Sequence, residues 1–334
     1  MISTVDYHTA GEPFRILSEN APKIPGATVR ERREHALRDP HVQHLRRLLC
    51  NEPRGHANMY GGLIVAPDDA DGDFGVLFWH REGFSTACGH GTIALGVWAA
   101  EKAVVPMAAD GETELAIDVP SGRVRARVRC EGGQPQSVVF ANVATYILER
   151  SVEVDAGGVR ARLDVAFSGA IYACLPAAEL GLEVRPADID ALVAAARTIK
   201  RELLEHPAAR HPVDERLSGV YGVIFNGPLE ERDGRPAQRN VTIFADGEVD
   251  RSPCGSGTSA RVALLLDDGT LSPGQELHHE SIVDTAFMAR STGETRADGR
   301  RALLTEVEGT AYRTGEHRFF LDARDPVGTG FLLA

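Results

Sequence analysis

Two short stretches of the chain carry residue types that do acid and base chemistry. Cys88-Gly89-His90-Gly91-Thr92-Ile93-Ala94 aligns with Cys254-Gly255-Ser256-Gly257-Thr258-Ser259-Ala260, with five identities in seven positions. The offset from 88 to 254 is 166 residues, close to half of a 334-residue chain. Phe78 and Phe244 each close a β-like run ten residues before their cysteine, and an amphipathic helical segment follows each motif. Such self-similarity reads as two homologous halves, each built as strand, loop, cysteine and helix.

Thr86 or Ser252 is suited to N-cap the helix and Pro253 to its first position, which sets each cysteine in the first turn. There the helix dipole favours a thiolate, and a cysteine near pKa 8.5 falls to roughly 3.5–7.5 at such places. The dipole alone is worth about 0.3–2 kcal/mol. Since about 1.36 kcal/mol moves a pKa by one unit, a larger shift needs a hydrogen bond or a bound cation. The glycines after each cysteine leave backbone N–H groups open to a small anion such as a carboxylate. Two thiols on one such ligand suggest a two-base reaction. One, as thiolate, takes the α-proton from one face, and the other, as thiol, returns a proton to the opposite face. Like charges so close resist double ionisation, so the pair is expected to titrate as a unit with one proton kept. His90 and Asp250 stand where they can bind a substrate amine.

The elements that must position these groups are mixed. Strand candidates rich in Val, Ile and Phe include 61–65, 75–79, 115–119, 123–128, 138–140, 162–166, 171–175, 220–225, 241–244 and 317–321. Helix candidates are 28–37, 41–49, 91–101, 186–205 and 257–267. Loops rich in Gly, Pro and Asp fall at 66–73, 130–136, 226–236 and 290–299. Several strands follow one another without helices between them, so simple βαβ alternation fails and the class is α+β.

Composition narrows the function. The formal charge is -12, from 48 acids against 36 bases, which argues against nucleic acid or an anionic membrane as partner. Three lysines (Lys23, Lys102, Lys200) leave little room for Schiff-base chemistry. Five cysteines without close pairs point to a reducing compartment, and Cys50, Cys130 and Cys174 read as small buried apolar residues. His278 and His279 are adjacent, read as surface or strand residues, and make no metal pair; no Cys/His cluster suggests a metal. Without a leader-like start or a long apolar run, a cytoplasmic location is expected.

Four ordered motifs together resemble the proline racemase family: Asp6-Tyr7-His8-Thr9-Ala10-Gly11-Glu12-Pro13, then Arg54-Gly55-His56 with Met59-Tyr60-Gly61, then Cys88 to Thr92, then Asp250-Arg251-Ser252-Pro253-Cys254-Gly255-Ser256-Gly257-Thr258. The resemblance covers nearly the whole chain. It implies a cofactor-independent fold like that of diaminopimelate epimerase, with two pseudo-symmetric α/β lobes and the active site in the cleft between them. The first lobe would be residues 1–132 plus 312–334, and the second 133–311. By motif position, Cys88 and Cys254 become the acid/base pair, and Gly89, His90, Asp250, Gly255 and Ser256 the substrate-binding positions. Such proteins are typically homodimers, and the partner expected is a small molecule, proline or a hydroxyproline.

The family contains proline racemases, 4-hydroxyproline 2-epimerases and trans-3-hydroxy-L-proline dehydratases. Asn58 stands where relatives commonly have aspartate. The stretch 219–225 and the ending 330–333 look closer to the dehydratase branch. Dehydratases, however, usually replace one of the two cysteines, and this chain keeps both, which favours inversion over dehydration to Δ1-pyrroline-2-carboxylate. Two other classes stand beside these. Gly89-x-Gly91-x-x-Ala94 and Gly255-x-Gly257-x-x-Ala260 match a dinucleotide fingerprint, which would make the chain an oxidoreductase, although no convincing βαβ unit with a suitably placed acidic residue is evident. A catalytically silent binder of proline-like ligands is the other. Asn226 fits either a substrate contact or a turn before Gly227-Pro228.

Overall fold

In the computed structural model, which describes residues 1–333, the chain divides into two compact units. One comprises Met1–Val138 together with residues from Thr310 onward, and the other is the continuous stretch Val139–Gly309. The first begins with strands β1 (Ile2–Thr9) and β2 (Glu12–Leu17) and helices α1 (Val29–Arg38) and α2 (Pro40–Cys50). Strands β3 (Gly61–Val65), β4 (Phe74–His80) and β5 (Gly83–Phe84) lead to helix α3 (Gly89–Glu101), followed by β6 (Gly111–Val119), β7 (Gly122–Glu131) and β8 (Gln134–Ala141), within which this stretch of the first unit ends.

The second unit runs through β9 (Tyr146–Asp155), β10 (Arg160–Phe167), β11 (Ile171–Pro176), helix α4 (Ile189–Glu202), β12 (Val220–Arg232), β13 (Arg235–Phe244) and β14 (Glu248–Val249). Helix α5 (Gly255–Asp267) and strands β15 (Leu277–Glu280), β16 (Ala286–Ala297) and β17 (Arg300–Gly309) complete it. The chain then returns to the first unit as β18 (Ala311–Phe319), antiparallel to β1.

Strand direction repeats between the units. In the first, β18-β1-β2-β3-β4-β6-β7 pair in the succession antiparallel, antiparallel, parallel, antiparallel, parallel, antiparallel. In the second, β9-β10-β11-β12-β13-β15-β16 pair in the same succession, and β17 adds one more antiparallel partner to β16. The two-residue strands β5 and β14 sit alike, antiparallel to β4 and β13 ahead of the cysteine helix. Each repeat also sets a glycine opposite its marker phenylalanine, Gly62 against Phe78 and Gly222 against Phe244. The fold is therefore α+β with two matched lobes.

The chemistry-bearing helices are the buried ones. Every residue of α3 from Gly89 to Ala99 is buried, and in α5 so are Gly255–Ala260 and Val262–Leu265. A helix apolar all round has to be enclosed: α3 packs on β1, β2, β7 and β18, and α5 on the matching β10, β11, β16 and β9. By contrast α1 and α2 are held by local signals. Thr28 and Glu31 form a capping box on α1, and Asp39 closes α1 while accepting the His41 and Val42 N–H groups of α2, with Pro40 in first position. No helix among the described residues is long and apolar enough to cross a membrane.

Two expected loops are strands instead. Residues 226–236 belong to the β12–β13 hairpin, with an irregular register between Asn226 and Leu229. Residues 290–299 belong largely to β16 and its hairpin with β17. Both hairpins turn at an Asp-Gly pair, Asp233-Gly234 and Asp298-Gly299, with positive φ at both residues, the geometry that matches strand twist in a two-residue turn. Polar residues in these strands cover one exposed face and hide the alternation that would have marked them.

Candidate active site

In the first unit Cys88 is itself the N-cap of α3, in extended backbone (φ -158°, ψ 101°), so the helix starts at Gly89, later than a Thr86 cap would place it. Its Sγ accepts the N–H of Gly91 at 3.3 Å, the place usually filled by a capping oxygen. The Thr92 hydroxyl donates to the Cys88 carbonyl at 2.8 Å. His90 lies beside the sulfur, Nδ1 at 3.4 Å and Nε2 at 3.6 Å. Its ring meets Phe14 (centroids 5.8 Å) and Tyr60 (5.0 Å) edge-on. Burial pushes the imidazole down to about 3, against a smaller opposing effect of the Pro13 carbonyl, so His90 is neutral at ordinary pH. Across the unit, the Thr9 hydroxyl at the end of β1 donates to the His90 carbonyl at 2.9 Å.

The second unit repeats this construction with different side chains. Cys254 is the N-cap of α5, again displacing the expected cap at Ser252 and the expected first-position role of Pro253. It has φ +65°, a left-handed conformation that costs a non-glycine residue roughly 1–3 kcal/mol and persists only where the surroundings enforce it. Ser252 enforces it. Its hydroxyl accepts the Cys254 N–H at 3.1 Å while donating to Asp250 Oδ1 at 2.7 Å, and its own N–H donates to the same oxygen at 2.8 Å. The Ser168 hydroxyl, just beyond β10, donates to the Ser256 carbonyl at 2.7 Å, as Thr9 does to His90. Tyr172 Oη is 2.7 Å from Ser256 Oγ and 3.8 Å from Cys254 Sγ. His279 lies on strand β15, the second of the two places its sequence reading allowed, and is wholly buried rather than at the surface; its Nδ1 meets the Thr258 hydroxyl at 2.7 Å.

The glycines at the third helical position are required sterically. A Cβ on Gly91 would lie 2.8 Å from Cys88 Sγ and 2.4 Å from Phe14, and one on Gly257 would lie 2.9 Å from Cys254 Sγ and 2.8 Å from Ile224. Gly89, His90, Gly255 and Ser256 occupy the first two helical positions, whose N–H groups have no intrahelical acceptor.

Electrostatics in the second unit run against the dipole argument. Burial, then the Asp250 carboxylate, push the Cys254 thiol up, with the Gly257 N–H opposing. Burial also pushes Asp250 up to about 6, although Ser252 bonds its charged form. Loss of solvation outweighs a dipole worth about 2 kcal/mol at most. Cys254 therefore rests as a thiol, able to give a proton.

Sequence reasoning missed Thr9, Ser168 and Tyr172. A signal was available for the first two: Thr9-Ala10-Gly11 and Ser168-Gly169-Ala170 are matching small-residue turns, each after the strand that packs on its cysteine helix. Asn226 is buried on β12 opposite Asn240, so the simple turn reading fails. The chain around each helix does form a parallel crossover, β4 to β6 and β13 to β15, which sequence reading had not found. In both cases, however, a cysteine caps the helix where a dinucleotide site would present its phosphate-binding turn. Nothing in the structure explains Asn58.

Two units of matched strand direction, each burying a helix with a cysteine at its N-cap, give the chain a two-lobe α+β architecture. The chain belongs to the proline racemase family: the family described as Proline racemase matches residues 4–332. It is 42% identical over 332 residues to a trans-3-hydroxy-L-proline dehydratase of Bacillus thuringiensis, covering 99% of this chain and 98% of that one. It is 41% identical over 336 residues to a 3-hydroxyproline 2-epimerase of Burkholderia multivorans, with the same shares. A crystal structure of a hydroxyproline epimerase from Agrobacterium vitis with bound trans-4-OH-L-proline superposes with a TM-score of 0.91 at 30% identity, covering 99% of this chain and 95% of that one.

Proposed function

We propose that the chain is a two-base epimerase that inverts the α-carbon of proline or a hydroxyproline, with Cys88 and Cys254 as its acid/base pair. One observation carries this reading: a cysteine at the N-cap position, the glycine beneath its sulfur and the hydroxyl bracing the second helical carbonyl all recur in both units. A binding protein has no need for two such sulfurs.

In this reading the ligand carboxylate takes the first-turn N–H groups of α3 and α5, and Asp250 takes the ring ammonium. One sulfur, as thiolate, removes the α-proton, and the carbanion is stabilised by the adjacent ammonium and the bound carboxylate. The other sulfur, as thiol, delivers its proton to the opposite face, so thiol and thiolate exchange places and no atom is lost. His90, neutral, holds Cys88 in place. Cys254, resting protonated, acts first as the acid. The two relatives named for 3-hydroxyproline favour a 3-hydroxylated ring. A homodimer in the cytoplasm accompanies this reading.

The relative named as a dehydratase supports a second reading, in which loss of the α-proton is followed by departure of the 3-hydroxyl as water. That reaction needs one base.

Proton NMR in D2O with L-proline, trans-4-hydroxy-L-proline and trans-3-hydroxy-L-proline separates the two. Inversion with deuterium at the α-carbon supports the epimerase, and Cys88→Ser and Cys254→Ser should each abolish it. Loss of water from the 3-hydroxy compound without inversion of any substrate would make the chain a dehydratase.

A further inference from the structure

The buried arginines Arg15 and Arg46 have acceptors for their terminal nitrogens. Arg15 pairs with Asp6 at 2.8 Å and donates to the carbonyls of Leu49 and Arg54, each at 2.7 Å. Arg46 donates to the carbonyls of His80 and Arg81. Arg261, on α5, differs. Its side chain is partly buried, and burial lowers its pKa, yet its hydrogen bond is made through Nε, to Gln238 Oε1 at 2.7 Å. Neither terminal nitrogen meets an acceptor among the described residues. A cation partly withdrawn from water with no direct ion pair is costly, although Asp268 and Asp164 act on it from further off, and arginine does not shed its proton to escape that cost.

The surroundings continue the pattern. Gln238 donates to the Gly227 carbonyl at 2.9 Å, and the neighbouring Asn226, 3% exposed, has an Oδ1 with no donor. Arg261, Gln238 and Asn226 line one cavity of about 740 Å³ in the second unit, a size typical of small-molecule sites. Three carboxylates on its wall pair with other arginines, Glu183 with Arg185 at 3.3 Å, Asp268 with Arg150 at 3.8 Å, and Glu280 with Arg232 and Arg239; the fourth, Glu230, is exposed.

The internal repeat supplies a control. The position of Arg261 in the first half, 166 residues earlier, is Leu95, wholly buried on α3. A cysteine-capped helix enclosed by this sheet therefore does not need a cation there, and the fold alone does not account for Arg261.

We propose that this cavity is a second ligand site, built for a small carboxylate that also carries an O–H or N–H donor. The planar fork of Arg261 takes the carboxylate through its terminal nitrogens, and Asn226 takes the donor. Arg261 lies seven residues along α5 from Cys254, so the site is separate from the catalytic thiols and does not depend on their assignment.

Calorimetric titration of the full chain with glycolate tests this, with the uncharged glycolamide as control. Saturable glycolate binding should persist in a Cys88→Ser/Cys254→Ser chain, weaken at least tenfold in Arg261→Leu, and be absent for glycolamide. Asn226→Asp keeps the arginine and supplies it with an internal carboxylate, so this variant should lose glycolate binding while staying folded. Unchanged binding in both Arg261→Leu and Asn226→Asp, or equal binding of glycolamide, would overturn the proposal. So would a changed sedimentation coefficient of ligand-free Arg261→Leu, which would assign the cavity to a carboxylate of a second copy.

Discussion

The sulfur of Cys88 takes the N–H of Gly91 at 3.3 Å, so the atom proposed to move the proton is also the cap of its helix. Moving the sulfur moves the helix start, and crowding the glycine moves the sulfur. Gly91→Ala and Gly257→Ala should therefore each lower kcat at least a hundredfold, with a stability loss of about 1–3 kcal/mol from overpacking. Deuterium uptake at the α-carbon and urea denaturation read the two effects. A Gly91→Ala protein with near-normal turnover would contradict the steric argument.

Thr9 and Ser168 brace the helix carbonyls of His90 and Ser256 from a neighbouring strand. Removing either hydroxyl leaves a buried carbonyl short of a donor, a loss of about 1–3 kcal/mol. Thr9→Val and Ser168→Ala should show it in denaturation, and both should lower kcat more than they raise KM, because the sulfur above is what loses its support.

Asp250 gives the clearest pH signature. Its carboxyl is raised to about 6 in the folded chain, so the folded state holds this proton more tightly than the unfolded state does. That contribution is complete below about pH 4 and is lost as pH rises through 6. Asp250→Asn, which cannot ionise, should be more stable than the parent above pH 6, by up to about 3 kcal/mol. Its activity should be low throughout, whereas the parent's kcat/KM should rise through about pH 6 as the carboxylate forms to hold the ammonium.

Histidine has the opposite sign. Burial lowers His90 and His279 to about 3, so the unfolded chain binds their protons first, and stability falls as pH drops from about 6.5 towards 3. Each contributes about 1.4 kcal/mol per pH unit in that window. His279→Gln should flatten the acid limb of a stability profile, and NMR of the His90 ring should show no titration between pH 5 and 8.

How much of this was legible before the fold was known depends on where the information lies. The repeated cysteine motif and its glycines were legible as a pattern because spacing and repetition can be read directly from sequence. The cap was misplaced because Thr86 and Ser252 are conventional capping residues and cysteine is not; only the backbone at Cys88 and Cys254 and the bond of the Cys88 sulfur to the Gly91 N–H settle it. Tyr172 was out of reach, since it meets Ser256 across 84 positions of sequence. β16 and the outer part of β12 were hidden by exposed polar faces, although their Asp-Gly turns were in plain view.

The exchanged edge strand has a consequence for biosynthesis. The counterpart of β18 in the second unit is β9, which directly precedes β10 in sequence, whereas β18 is translated after the entire second unit. During synthesis the second unit has all its strands while β1 still presents a naked ladder of eight residues, an open template for other chains. The half that begins first is finished last, and the nascent protein is most exposed to misassociation along β1 until the ribosome delivers residues 311–319.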